Sequence, residues 1–173
     1  MEQQPTTTAR TALKWGVITG IASIVFSTII FVTGQFMNQA LTSLGLIILI
    51  VTMVLAMKEY RTFNGGFMTY GQGLGIGALM AGISGFIGAT FNYIYNEFID
   101  TTIRQQILDK TREKFEEQGM DDAQIDAAIE MTAKFSSPGI TFAIGIVFSI
   151  IFGFVIALVI SAIMKKDKPF ELE

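Results

Sequence analysis

Four long stretches of apolar residues dominate the chain, and polar segments separate them. None of the four contains Asp, Glu, Lys or Arg. A helix of about 20 apolar residues is long enough to cross the hydrocarbon core of a bilayer. The pattern therefore predicts an all-α fold, a polytopic integral membrane protein. Its four transmembrane helices are predicted at residues 15–33, 41–57, 67–94 and 139–164.

A polar leader, residues 1–14, precedes the first apolar stretch and ends in the bases Arg10 and Lys14. A secretory signal has a shorter apolar region, about 7 to 15 residues, followed by a cleavage site of small residues. This stretch is longer and continues into residues 34–38 without such a site. We expect it to remain as an uncleaved membrane helix.

One sizeable polar region, residues 97–138, lies between the third and fourth apolar stretches. Apolar residues recur at helical spacing from Ile99 to Phe115, which predicts that the third helix continues to about Gln118. Because Asp121 and Gln124 have the spacing of a capping box, they predict a second short helix. The region is therefore expected to form a charged helical hairpin outside the membrane.

The distribution of lysine and arginine predicts the orientation of the chain. Bases near helix ends favour the cytoplasmic side of a membrane. In a four-helix topology the leader, the turn at residues 58–61 and the tail at residues 165–173 all lie on one side. Both termini are therefore expected to be cytoplasmic, and residues 97–138 extracytoplasmic. The bases on the cytoplasmic side are Arg10, Lys14, Lys58, Arg61, Lys165, Lys166 and Lys168.

Small residues recur at every fourth position in the third and fourth apolar stretches. Such spacing lets two membrane helices approach closely, and it predicts helix packing. A substrate path or a hinge lined by glycine is the alternative interpretation. The first apolar stretch has a weaker version of the pattern, which includes Gly16 and Gly20. The helix-packing candidates are Gly73, Gly77, Ala81, Gly85 and Ala89 in the third helix and Gly145, Ser149, Gly153, Ala157 and Ser161 in the fourth.

Several kinds of chemistry are disfavoured by composition. The chain has no cysteine and no histidine, so the thiolate nucleophile, the commonest general base and the commonest metal ligand are missing. Asp122, Asp126 and Glu130 share one helical face and could attract a divalent cation. The series continues to Lys134, however, which favours a solvated surface. No catalytic residue, cofactor or metal site is predicted.

Nucleic acid is not an expected partner. The formal net charge is −3, and the chain has no basic stripe with interleaved aromatic residues.

Three segments have a distinctive order and spacing: Lys58-Glu59-Tyr60-Arg61, the run from Gly65 to Gly73 that reads GGFMTYGQG, and the run from Asn92 to Asp100 that reads NYIYNEFID. Together they resemble a family of bacterial membrane proteins, domain of unknown function 4199. The likeness extends from about Ala9 to Asp167. Thr101 stands where members often have proline. The resemblance implies a bacterial inner-membrane protein with four helices, and it supplies no activity or substrate.

Two functions are compatible with these patterns. The first is a non-enzymatic partner or accessory subunit that acts through helix packing and the outer hairpin. Its partners would be the lipid bilayer and either a second copy or another membrane protein. The alternative is a small oligomeric transporter or channel, for which the glycine-rich third helix with Gln72 and Asn92 is the best support.

Overall fold

The computed structural model describes residues 7–168, and these residues form six α-helices. The all-α prediction is confirmed, since the described residues contain one isolated β-bridge and no strand. The predicted leader and tail lie partly outside the described residues. The helices are α1 (Thr8–Val32), α2 (Gln39–Phe63), α3 (Tyr70–Ile94), α4 (Ile103–Glu117), α5 (Asp122–Phe135) and α6 (Pro138–Met164).

Four of these helices are long and apolar enough to cross a membrane: α1, α2, α3 and α6. They have 25 or more residues each, which at 1.5 Å per residue exceeds the roughly 30 Å of a hydrocarbon core. Asn38 caps the start of α2 by accepting hydrogen bonds from two backbone N–H groups. Pro138 is the first residue of α6, a position where the missing N–H of proline costs no hydrogen bond.

The chain divides into two compact units. The first contains residues 1–88 and 146–173. Its core lies where the start of α1, the end of α2, the start of α3 and the end of α6 meet, around Ala12, Met57, Ile76 and Ile160. Away from this core the same helices expose large apolar side chains, among them Val25, Ile47 and Phe152.

The second unit, residues 89–145, contains α4 and α5 packed antiparallel. They are joined at Gly119, whose φ of +75° ends α4. Ile103 and Ile125 are buried in this unit. The predicted capping box is confirmed, because the Asp121 carboxylate accepts from the Gln124 N–H and the Gln124 side chain accepts from the Asp121 N–H.

The prediction that the third helix continues to Gln118 is wrong. α3 ends at Ile94, a π-helical turn follows over Tyr95–Ile99, and Asp100 leaves the helical conformation. The Asp100 carboxylate accepts hydrogen bonds from both the N–H and the hydroxyl of Thr102. Aspartate favours such local bonds over the helix ladder, and the chain therefore breaks before α4.

Candidate functional site

The small residues of α3 and α6 face each other in antiparallel register. A Cβ added to Gly73 would lie 2.8 Å from the Ser161 Oγ, which is too close for a real side chain. Gly145 and Ala89 belong to the second unit. A Cβ added to Gly145 would lie 3.7 Å from the Ala89 Cβ, which is an ordinary contact distance. The facing pairs are Gly73 with Ser161, Gly77 with Ala157, Ala81 with Gly153, Gly85 with Ser149, and Ala89 with Gly145.

Three further pairs leave no room for any atom beyond hydrogen on the glycine. A Cβ on Gly77 would overlap the Ala157 methyl, and one on Gly85 would overlap the Ser149 side chain. A Cβ on Gly153 would overlap the Ala81 methyl. Close backbone approach of this kind is how membrane helices gain van der Waals contact without a hydrophobic driving force. We call the five facing pairs of α3 and α6 the small-residue interface.

α1 packs against another side of α3, and here glycine faces isoleucine instead of another small residue. Gly16 and Gly20 receive the branched side chains of Ile83 and Ile87, whose Cβ atoms would lie 2.8 and 2.9 Å from an added Cβ. Gly16 and Gly20 belong to the weaker pattern of small residues in the first apolar stretch of the sequence. Their partners were not predicted, since isoleucine in an apolar helix gives no signal of its own.

Methionine fills the core of the first unit. Five methionines are buried: Met53, Met57, Met68, Met80 and Met164. The unbranched thioether side chain adapts to irregular space, which suits a core next to an interface that has only small side chains. For example, Met53 Sδ lies 3.2 Å from the position of a Cβ on Gly77, and the Ser161 hydroxyl lies 4.0 Å from Met57 Sδ. Sequence reasoning missed this role of methionine.

A buried hydroxyl pair joins α1 to α2. The Oγ1 atoms of Thr19 and Thr52 are 2.9 Å apart, and each also lies within hydrogen-bond distance of a carbonyl one turn earlier in its own helix. The residues are almost fully buried. The pair satisfies both hydroxyls and fixes the register of the two helices.

An ion pair between Lys14 and Glu59 also joins α1 to α2, closer to the start of α1 than the threonine pair. The Lys14 Nζ is 2.6 Å from the Glu59 carboxylate and 5.7 Å from the centre of the Trp15 ring. Lys14 is half exposed, so the ion pair is solvated and contributes little to stability.

A clasp holds the α2–α3 connection to the end of α6. We define the clasp as residues 61–68 with residues 164–166. Met68 and Lys166 exchange two backbone hydrogen bonds of 2.9 and 2.8 Å. The Arg61 Nη1 donates to the Met164 carbonyl at 3.3 Å, and so satisfies one of the carbonyls that a helix end leaves unpaired.

Two glycines shape the clasp. Gly65 and Gly66 have φ values of +66° and +88°, which residues with a Cβ rarely adopt. The Gly66 N–H donates to the Arg61 carbonyl and closes the end of α2. Asn64, Gly65 and Gly66 therefore form the turn that ends α2.

Gln72 has a structural role at the start of α3. Its Oε1 accepts from the Thr69 N–H at 2.9 Å, and the Thr69 Oγ1 accepts from the Gln72 N–H at 3.3 Å. This reciprocal pair is a capping box. The GGFMTYGQG segment that carries the family resemblance therefore contains both the turn of the clasp and the cap of α3.

The acidic face of α5 is engaged in ion pairs. Asp126 lies 2.6 Å from Arg112 of α4, and Glu130 lies 2.8 Å from Lys134. The hydrogen bond to Asp126 raises the pKa of Arg112 above its ordinary value. Within residues 7–168, no group of three or more acidic, cysteine or histidine side chains could hold a metal ion.

Comparison with known proteins identifies one family. No curated protein and no solved structure shows significant similarity to the chain. The sequence profile of one family matches residues 14–166, a range that contains the clasp and the small-residue interface. Its description is "Protein of unknown function (DUF4199)". The predicted resemblance is thus confirmed, and the chain belongs to this DUF4199 family.

Proposed function

We propose that this protein is a multi-pass protein of the bacterial inner membrane that acts as a non-enzymatic partner or accessory subunit. The observation that carries the proposal is the surface of its long helices. Large apolar side chains such as Ile29 of α1, Ile47 of α2 and Phe148 of α6 are exposed along them. Water would solvate such a surface poorly, whereas bilayer lipid covers it without cost.

Packing inside the chain leaves only some surfaces for a partner. The small-residue interface joins α3 to α6 and is therefore not free to bind a second protein. Gly71 and Gly75 of α3, in contrast, have no heavy atom within 4 Å of an added Cβ, and Leu79 one turn further is exposed. A helix of another membrane protein could approach α3 on this side.

The orientation follows the distribution of bases. With both termini cytoplasmic, the clasp and the Lys14–Glu59 pair lie at the cytoplasmic surface. The α4–α5 pair then lies outside the cytoplasm. Lys58, Lys165 and Lys166 are exposed near helix ends, where the bias toward the cytoplasm is strongest.

Photocrosslinking in native membranes tests the partner role. A photoreactive residue at Leu79 should crosslink to a distinct membrane protein. The same residue at Val155, an exposed position of α6, is the control and should react mainly with lipid. If Leu79 gives only lipid adducts, and mild detergent releases an unaccompanied monomer, the proposal is wrong.

An oligomeric transporter or channel has less support. Gln72, one of its two candidate polar residues, is used to cap α3. The buried hydroxyls of Thr19 and Thr52 bond to each other. Reconstitution in liposomes with a broad screen of solute and ion flux separates the two functions, because an accessory subunit alone should give no flux.

A further inference from the structure

Four large apolar side chains are the most exposed ones in the second unit. Phe98 and Ile99 of the π-helical turn are 75% and 63% exposed, and Met131 and Phe135 of α5 are 64% and 61% exposed. The same unit contains the charged helix α4 and the charged face of α5, together with the apolar end of α3 and the apolar start of α6. Exposed aromatic and aliphatic side chains next to charged helices usually mark a surface that something apolar covers.

α5 has three faces. Its charged face carries Asp126 and Glu130, and these side chains are exposed. Ile125 is buried in this unit. At 100° per residue, Met131 and Phe135 lie about 40° apart and beside the buried face, on the side away from the acids. They extend the apolar face beyond the part that the protein itself buries.

These residues lie where the chain leaves one long apolar helix and enters the next. The helix from Tyr70 that is apolar enough to span a membrane ends at Ile99. Phe135 ends α5, and α6 begins at Pro138. The rings of Tyr93 and Phe142 lie 6.1 Å apart, so the end of α3 and the start of α6 are neighbours.

We propose that α5 is an interfacial anchor. It lies on the outer surface of the bilayer with Met131 and Phe135 inserted at the boundary of headgroups and acyl chains, and Phe98 and Ile99 enter the same layer. This inference rests on the proposed membrane insertion. A helix with one apolar and one charged face adopts this position in the membrane plane.

Phospholipid fits this surface better than a protein does. Exposed Ile94 of α3 and Ile140 and Ile144 of α6 continue the apolar surface into helices that the bilayer already covers. The charged face of α5 carries Asp122, Asp126 and Glu130 against Lys134. Because this face is acidic, the apolar residues and not anionic headgroups must supply the affinity, and a zwitterionic lipid suffices.

Site-directed fluorescence of the full chain tests the anchor. The protein has no cysteine, so single cysteines at Met131, Phe135 and Glu130 can each carry an environment-sensitive dye without background. The variants are reconstituted in phosphatidylcholine vesicles. We expect spin-labelled phospholipid to quench the dye at Met131 and Phe135 at least about twofold more than at Glu130, and iodide to show the reverse order.

Two outcomes would overturn the anchor. Iodide quenching at Met131 equal to that at Glu130 would place α5 in water. Protection of Met131 and Phe135 from both quenchers would mean that protein covers them. A dye at Val155, the lipid-facing control position of α6, separates this inference from the proposed function. If lipid quenches Val155 and not Met131, only the anchor fails, whereas an unquenched Val155 would remove membrane insertion itself.

Discussion

Gly153 of α6 lies directly against Ala81 of α3, with no room for a methyl group on the glycine. This pair is the middle one of the small-residue interface. Nothing else lies within 4 Å of a Cβ added to Gly153. The contact is therefore a clean place to test whether close backbone approach stabilises the bundle.

Replacing Gly153 with Ala should destabilise the protein, and replacing Ala81 with Gly as well should restore most of the loss. The single variant forces the two helices apart, a form of overpacking that typically costs about 1–3 kcal/mol. The double variant places the methyl on the opposite helix and keeps the total volume. Thermal unfolding in mild detergent measures each variant against the original protein.

Gly75→Ala is the matched control on α3. No heavy atom lies within 4 Å of its added Cβ, so this variant should be neutral or slightly more stable. Equal losses for Gly75→Ala and Gly153→Ala would show that the effect comes from glycine itself and not from the contact. Failure of Ala81→Gly to rescue Gly153→Ala would argue against this pair as a close contact.

The members of the small-residue interface could be predicted from the sequence, but their pairing could not. The four-residue spacing identifies Gly77 and Ala157 as members, yet this spacing does not indicate that these two residues contact each other. That register depends on how the chain returns after α5. The pairing also depends on the clasp, in which Met68 bonds to Lys166 through backbone groups that no side-chain pattern reports.

Helix ends were predictable where a side chain dictates them. Asp121 and Gln124 form the expected capping box, and Gly119 ends α4. The break at Asp100 was missed because the apolar spacing on both sides of it is helical. A single carboxylate that bonds to Thr102 outweighs that periodicity.

Thr19→Val should destabilise the bundle slightly. The substitution removes the hydrogen bond to Thr52 while it nearly keeps the volume of the side chain. Hydrogen bonds between membrane helices contribute about 0.6 kcal/mol on average and at most about 1.7. Thermal unfolding in detergent should therefore show a small loss that disappears when Thr52 is already valine.

Thr28→Val is the control for this hydroxyl. Thr28 is also on α1, but its hydroxyl bonds to the Ile24 carbonyl of its own helix. Its removal should change stability less than that of Thr19. If both valine variants unfold at the same temperature as the original protein, the Thr19–Thr52 bond makes no net contribution.

Gly66→Ala should weaken the clasp. At a φ of +88° a side chain strains the backbone by about 1–2 kcal/mol, and the strain opposes the hydrogen bond from the Gly66 N–H to the Arg61 carbonyl. Limited proteolysis of the α2–α3 connection should become faster. Gly71→Ala, at an open position without positive φ, should leave the rate unchanged, and an equal rate for Gly66→Ala would mean that the turn tolerates strain.

The orientation prediction places Gln118 outside the cytoplasm and Gln3 inside. Seven bases lie close to the proposed cytoplasmic ends of the long helices, and the connection between α1 and α2 carries none. Reversal would move Lys58, Lys165 and Lys166 to the disfavoured side. The α4–α5 pair also carries bases, but they lie mostly away from the ends of the long apolar helices, where the bias is weak.

Chemical labelling of single introduced cysteines measures this orientation directly, since the chain has no cysteine of its own. Gln118 is exposed at the end of α4, whereas Gln3 lies outside the described residues. A membrane-impermeant thiol reagent applied to intact spheroplasts should label Gln118→Cys and spare Gln3→Cys, and lysis should make both reactive. The opposite labelling would reverse the topology. Labelling of both before lysis would require an odd number of membrane spans, and one of the four long apolar helices would then not cross the bilayer.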